Sequence, residues 1–271
     1  MTAAKVTVPS LAERKASSEK LVMVTAYDAT FAALADDAGV DLILVGDSLG
    51  MVVQGVENTL PVTLDEMAYH TRLVSRGASR ALVIGDLPFG AYQVSPEQGV
   101  ASSIRLVKEG RAAAVKLEGG VPMADTIEAI TRVDIPVMGH IGLTPQSFHR
   151  MGGHRVQGRS AGAHAGGRER LLADAKAVEQ AGAFAVVVEG VPRSLAVELT
   201  QTLSIPTIGI GAGPECDGQV LVLHDVLGLS PNLFKFAKAY ANLRADVVDA
   251  LERYAHEVRT GAFPDDDHSF H

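Results

Sequence analysis

Short runs of aliphatic residues recur along the chain, each followed by Gly, Asp, Glu or His and then by a stretch of helical spacing. The runs fall at 21–25, 41–45, 81–84, 114–117, 135–138, 184–188, 207–210 and 220–223. Runs this short and this continuously apolar predict strands buried on both faces, because their length and β-branched content argue against buried helix. Helical spacing falls between them, at 29–38, 64–76, 96–109, 123–132, 168–181 and 194–203. Ser95 before Pro96 predicts a capped helix start with proline in the first turn. Gly39, Gly77, Gly110 and Gly182 each follow a helical stretch, where a left-handed residue is expected to end the helix.

Strands that alternate with helices pair in parallel and give an α/β architecture. Eight strand runs select a closed (β/α)8 barrel over an open sheet of five or six strands. The eighth unit is the least marked, since 220–223 follows the seventh run after only a Gly-rich loop. A leading helix is expected near 10–20 and a final one near 232–258. No interior linker has the Pro/Ser-rich or charge-block composition of a boundary, so one domain over 1–271 is expected. The longest irregular segment, 144–167, follows the fifth strand and would therefore lie over the barrel's C-terminal mouth. A loop that long is either functional or disordered; its Arg150, Arg155 and Arg159, with Arg168 beyond, favour an anion-attracting or closing role.

Composition narrows the class. With 47% hydrophobic and 21% charged residues among 271, the chain is neither disordered nor collagenous. Twenty-four basic against 32 acidic residues leave a formal charge of −8, the wrong sign for a binder of nucleic-acid phosphates. No apolar run approaches the roughly 18 residues of a membrane span, and residues 1–10 lack the apolar core of a signal peptide. Cys216 stands alone, which excludes an intrachain disulfide and suits a reducing, cytoplasmic setting. It lacks a base in any recognisable nucleophile signature, and the glycines around it, at 209, 211 and 213, lack dinucleotide-binding spacing.

The strand ends carry the chemistry. The second run ends Gly46-Asp47-Ser48, the third Gly85-Asp86, the fourth Lys116-Leu117-Glu118, the fifth Gly139-His140 and the sixth Val188-Glu189. In a barrel these ends converge on one axis. Carboxylates gathered there repel one another unless a cation neutralises them, and a hard divalent ion such as Mg2+ suits oxygen ligands. Asp47 and Asp86, in matching Gly-Asp pairs at one level of adjacent strands, are candidates for a shared metal; an Asp after a strand also serves commonly as a helix cap. Lys116 and Glu118 lie two residues apart and so on one strand face, as a substrate-anion holder with a metal ligand or as a structural ion pair. Glu189 ends a run of alanine and valines; a carboxylate desolvated by such neighbours is a better proton acceptor, and the alternative is a salt-bridged structural Glu. His140 reads first as a hydrogen-bonded core histidine.

Six segments in order resemble the ketopantoate hydroxymethyltransferase (3-methyl-2-oxobutanoate hydroxymethyltransferase) family. They are Leu44-Val45-Gly46-Asp47-Ser48, Gly85-Asp86-Leu87-Pro88-Phe89-Gly90, Val115-Lys116-Leu117-Glu118-Gly119-Gly120 and the Gly139-His140-Ile141-Gly142 segment running to Gln146, then residues 156–159 and 206–213. His154 departs from it, standing where the family more often has an aromatic residue. The resemblance implies a barrel of the phosphoenolpyruvate/pyruvate type, assembled as a homodecamer. It implies a pantothenate-pathway enzyme that moves a one-carbon unit from 5,10-methylenetetrahydrofolate to 3-methyl-2-oxobutanoate, giving 2-dehydropantoate. By position it implies Asp47, Asp86 and Glu118 around Mg2+, Asp47, Ser48, Asp86 and Lys116 at the oxo acid, and Glu189 as proton acceptor. The rivals are a Mg2+-dependent 2-oxo acid lyase or mutase on the same barrel, and a non-catalytic assembly or ligand-binding barrel.

Overall fold

Each strand pairs in parallel with the next, and the last closes on the first. The barrel comprises β1 (Leu21–Thr25), β2 (Leu42–Val45), β3 (Leu82–Asp86), β4 (Ala114–Lys116), β5 (Val137–Gly142), β6 (Ala185–Glu189), β7 (Thr207–Ile210) and β8 (Gly218–Leu221). The computed structural model describes residues 4–153, 155–162 and 166–270, so His154 lies outside the described residues. Helices α1 (Val8–Ala16), α2 (Ala29–Asp37), α3 (Leu64–Gly77), α4 (Pro96–Lys108) and α5 (Ala124–Thr131) fall where the spacing places them, within a few residues. So do α7 (Arg168–Gln180) and α8 (Arg193–Thr202), while a one-turn α6 (Phe148–Met151) lies inside the long loop after β5. The Ser95 side chain caps α4 by accepting from the Gln98 amide at 3.3 Å.

Alternation along each strand sorts the core into two layers. Leu21, Met23, Leu42, Leu44, Leu82, Ile84, Met138, Val187 and Ile208 fill the barrel, joined by Leu11 from α1. Residues between them, such as Ile43, Val83, Val115 and Val186, face outward and pack under the helices. With both strand faces buried, the sequence can show no polar alternation. Ion pairs from Arg14 to Asp41 (2.6 Å) and from Lys15 to Asp217 (2.7 Å) anchor α1 to the barrel.

Three expectations change. β8 begins at Gly218, two residues before the apolar run, and exposes Gln219, so its signal is weak. The last helix, α10 (Leu243–Thr260), starts later than residue 232: the Tyr240 amide bonds the Val226 carbonyl at 2.8 Å instead of a carbonyl four residues back. Gly39 and Gly182 do have φ of 83° and 92°, whereas Gly77 and Gly110 are not left-handed. They are glycines for space: a Cβ on Gly77 would sit 2.2 Å from the Ala29 carbonyl oxygen, and one on Gly110 2.6 Å from that of Leu106. The chain groups into two compact units, Met1–Val222 with all eight strands and Leu223–His271 with α9 (Leu223–Val226) and α10. Among the described residues no helix is long and apolar enough to cross a membrane.

Candidate active site

The register of β3 and β4 sets Asp86 directly beside Lys116, and the Lys116 Nζ lies 2.9 Å from Asp86 Oδ1. Both side chains are buried. Asp47 joins them from the turn after β2, its amide 3.4 Å from Asp86 Oδ2. The two Gly-Asp pairs are not level, however: Val45 pairs with Gly85, so Asp47 stands one residue further toward the mouth. Lys116 and Glu118 do meet at one point, the Nδ1 of buried His140, at 3.3 and 3.4 Å. On its other side His140 Nε2 lies 3.2 Å from Glu189 Oε2. The β5–β6 register explains this, since His140 pairs with Val187 and Gly142 with Glu189, two positions apart and so on one face. Ser48 is held by the Tyr27 hydroxyl at 2.9 Å. All the candidate site residues therefore converge at the carboxyl ends of β2 to β6.

Two buried residues without an assigned role complete the constellation. Gln146, on the short 3-10 turn Pro145–Ser147, donates its backbone amide to Glu118 Oε2 at 3.0 Å. Its side-chain Nε2 donates to Asp47 Oδ2 and to the Leu87 carbonyl, both at 2.9 Å. Tyr92 donates its hydroxyl to Gln146 Oε1 at 2.7 Å and accepts from the Glu118 amide at 3.1 Å. Neither contact is visible in one sequence, because each joins residues far apart in the chain.

Charge is crowded here. Burial first, then the charges of Asp86 and Glu118, push the Asp47 carboxyl well above the usual carboxylate range. Burial likewise raises Asp86, against the pull of Lys116. Glu118 is lowered: burial opposes this, but the hydrogen bond and charge of His140 prevail. For Lys116, burial favours the neutral amine, yet Asp86, Glu118 and Asp47 together raise its pKa. Burial and Lys116 also oppose a charge on His140, but Glu118 and Glu189 lift it to about 9. His140 is then doubly protonated and faces a carboxylate on each side. Glu189 thus has a polar partner, rather than apolar neighbours alone as its sequence setting implies.

Asp47, Asp86, Glu118 and Glu189 outnumber Lys116 and His140 in this buried space, and only oxygen donors are in surplus. That chemistry fits a hard divalent cation. Among the described residues no three acidic, His or Cys side chains surround one point at metal-ligand spacing; the acids instead turn to Lys116, His140 and Gln146.

Beside the acids lies a cavity of about 380 Å³ whose lining includes Phe89, Glu118, Met123, Gln146 and Arg150. The loop after β5 forms part of its wall and is tied to the end of β6 by the Gln157 amide, which donates to the Gly190 carbonyl at 2.8 Å. Arg168, by contrast, pairs with Glu198 on α8. Cys216 is fully buried, and that burial raises its thiol pKa, away from the thiolate a nucleophile needs.

Residues 5–266 match the sequence model of ketopantoate hydroxymethyltransferase. The chain is 57% identical over 267 residues to the 3-methyl-2-oxobutanoate hydroxymethyltransferase of Pelobacter propionicus, covering 98% of this chain and 97% of that one. It is 56% identical over 260 residues to the enzyme of that name from a Cyanothece strain, covering 96% and 98%. Among solved structures, a phosphonopyruvate hydrolase complex with oxalate and Mg2+ superposes with a TM-score of 0.62 at 15% identity, covering 97% of this chain and 93% of that chain. A 2,3-dimethylmalate lyase of the PEP mutase/isocitrate lyase superfamily gives 0.60 at 19%, covering 97% and 91%. These two share the barrel; the sequence matches go further, and by them the chain belongs to the ketopantoate hydroxymethyltransferase family.

Proposed function

We propose that the chain transfers a hydroxymethyl group from 5,10-methylenetetrahydrofolate to 3-methyl-2-oxobutanoate, giving 2-dehydropantoate for pantothenate synthesis. The observation that carries this is the buried set of Asp47, Asp86, Lys116 and Glu118 joined through His140 to Glu189. Such a set holds an anionic oxo acid and offers a base to its C3 proton. Lys116 supplies the positive charge that the substrate carboxylate needs, and the Ser48 hydroxyl, oriented by Tyr27, supplies a hydrogen bond. Glu189 takes the C3 proton, and His140 fixes which carboxylate oxygen is free to do so. Asp47, Asp86 and Glu118 would hold Mg2+, which acts as a Lewis acid on an oxo acid's oxygens. Overall, C3 loses a proton to Glu189 and bonds to the donor's methylene carbon, both bonds from that carbon to the folate nitrogens break, water gives its hydroxyl to the carbon, and the water's remaining proton and the one held by Glu189 end on the two folate nitrogens.

The adjoining cavity suits the donor. Phe89 and Met123 offer apolar contact to a flat ring, and Arg150 a charge for a carboxylate tail. A homodecamer in the cytoplasm is the assembly and setting we infer; the exposed row Val247, Leu251, Tyr254 and Val258 on α10 supports association with further copies. The experiment is an assay for 2-dehydropantoate. Product that requires both the folate donor and a divalent cation, and that stops with chelator, supports the reading; cleavage of an oxo acid without the donor overturns it.

A further inference from the structure

Gln146 has every hydrogen-bonding position of its carboxamide engaged. The two Nε2 hydrogens go to Asp47 Oδ2 and the Leu87 carbonyl. Oε1 accepts from the Tyr92 hydroxyl at 2.7 Å and from Gln93 Nε2 at 3.1 Å. This fixes which end of the amide faces Asp47, because a flipped amide would set oxygen against carboxylate oxygen and nitrogen against the Gln93 amide. The same residue's backbone amide holds Glu118 Oε2 at 3.0 Å. One residue therefore orients two acids that come from different strands, and its side chain also lines the 380 Å³ cavity.

We propose that Gln146 is a positioning residue for divalent-cation binding: it claims one oxygen each of Asp47 and Glu118, leaving Asp47 Oδ1 for the cation. This rests on the reading of Asp47, Asp86 and Glu118 as the cation's holders. It does not require Gln146 to touch the cation or either substrate. A partner that orients a metal ligand typically accounts for 10–100-fold in metal affinity.

The test is Mn2+ binding without substrates, read by calorimetry and by the electron paramagnetic resonance of bound Mn2+. Gln146→Met keeps the length and loses both donors, and Gln146→Asn keeps the amide but withdraws it by one methylene. Both are expected to lose roughly 10–100-fold in Mn2+ affinity and to change the spectrum of the ion that still binds. If the unmutated protein binds no Mn2+, the cation reading fails, and this proposal with it. If it binds and the variants bind within twofold of it, Gln146 has no positioning role and only this proposal falls. A Mn2+-loaded structure of the unmutated protein gives a reading independent of how the variants fold. Gln146 Nε2 stays on Asp47 Oδ2 if the proposal holds, and a carboxamide displaced from Asp47 overturns it.

Discussion

Replacing Glu189 with glutamine separates proton removal from everything else the site does. The change keeps the side chain's shape, and the amide oxygen can still face His140 Nε2, now 3.2 Å from Glu189 Oε2. Binding of the oxo acid should therefore survive, because Asp47, Ser48, Asp86 and Lys116 keep their partners. What is lost is a basic oxygen. A positioned general base contributes roughly 10²–10⁴ in rate, or about 3–5 kcal/mol of barrier. The Glu189 side chain is 13% exposed, so water can partly take its place and the loss should fall in the lower half of that range. The assay is exchange of the C3 proton of 3-methyl-2-oxobutanoate in deuterated water, followed by proton NMR without the folate donor. Calorimetry reports oxo-acid binding in parallel. Exchange slowed roughly 100- to 1,000-fold with unchanged affinity agrees with the assignment. Exchange within threefold of the unmutated enzyme would remove Glu189 from the role of base.

Asp86→Ala should abolish the Mg2+-dependent part of oxo-acid binding in calorimetry and, by leaving Lys116 buried without its 2.9 Å partner, cost about 3–5 kcal/mol of stability; binding that stays Mg2+-dependent would contradict it. His140 gives a pH signature. Its folded pKa of about 9 lies above the ordinary 6.5, so its contribution is full below about 6.5 and is lost as pH rises through 9. Metal-free protein should lose on the order of 3 kcal/mol across that window in urea melts, and His140→Asn should flatten the profile; equal slopes would refute the charged imidazolium. Gly142 has φ +94°, and a Cβ there would lie 2.2 Å from the Glu189 carbonyl oxygen. Gly142→Ala should cost on the order of 2–3 kcal/mol and lower turnover by shifting Glu189, whereas an unchanged melting point would argue against that contact.

The barrel is legible in the sequence because parallel strands buried on both faces must be continuously apolar, and because Gly-Asp, Lys-x-Glu and Val-Glu interrupt that pattern only at strand ends. β8 is faint for the converse reason: Gln219 is exposed, so its run is broken. The segment before α10 misleads because Leu233, Phe234 and Phe236 have helix-like spacing without forming helix. Within the site, Asp47, Asp86, Lys116 and Glu118 stand out by position. The link from His140 to Glu189 depends on strand register, and the hold of Gln146 on Asp47 spans 99 residues. Local pattern carries neither. A signal did exist for His140, a polar residue inside an otherwise apolar run with glycine on each side at 139 and 142.

The most direct measurement is anomalous diffraction from crystals grown with Mn2+ and 3-methyl-2-oxobutanoate. The account requires one strong Mn2+ peak among the carboxylates of Asp47, Asp86 and Glu118, with the oxo acid against it and its C3 toward Glu189. A Mn2+ peak elsewhere, or an oxo acid bound away from Lys116 and Glu189, would contradict it.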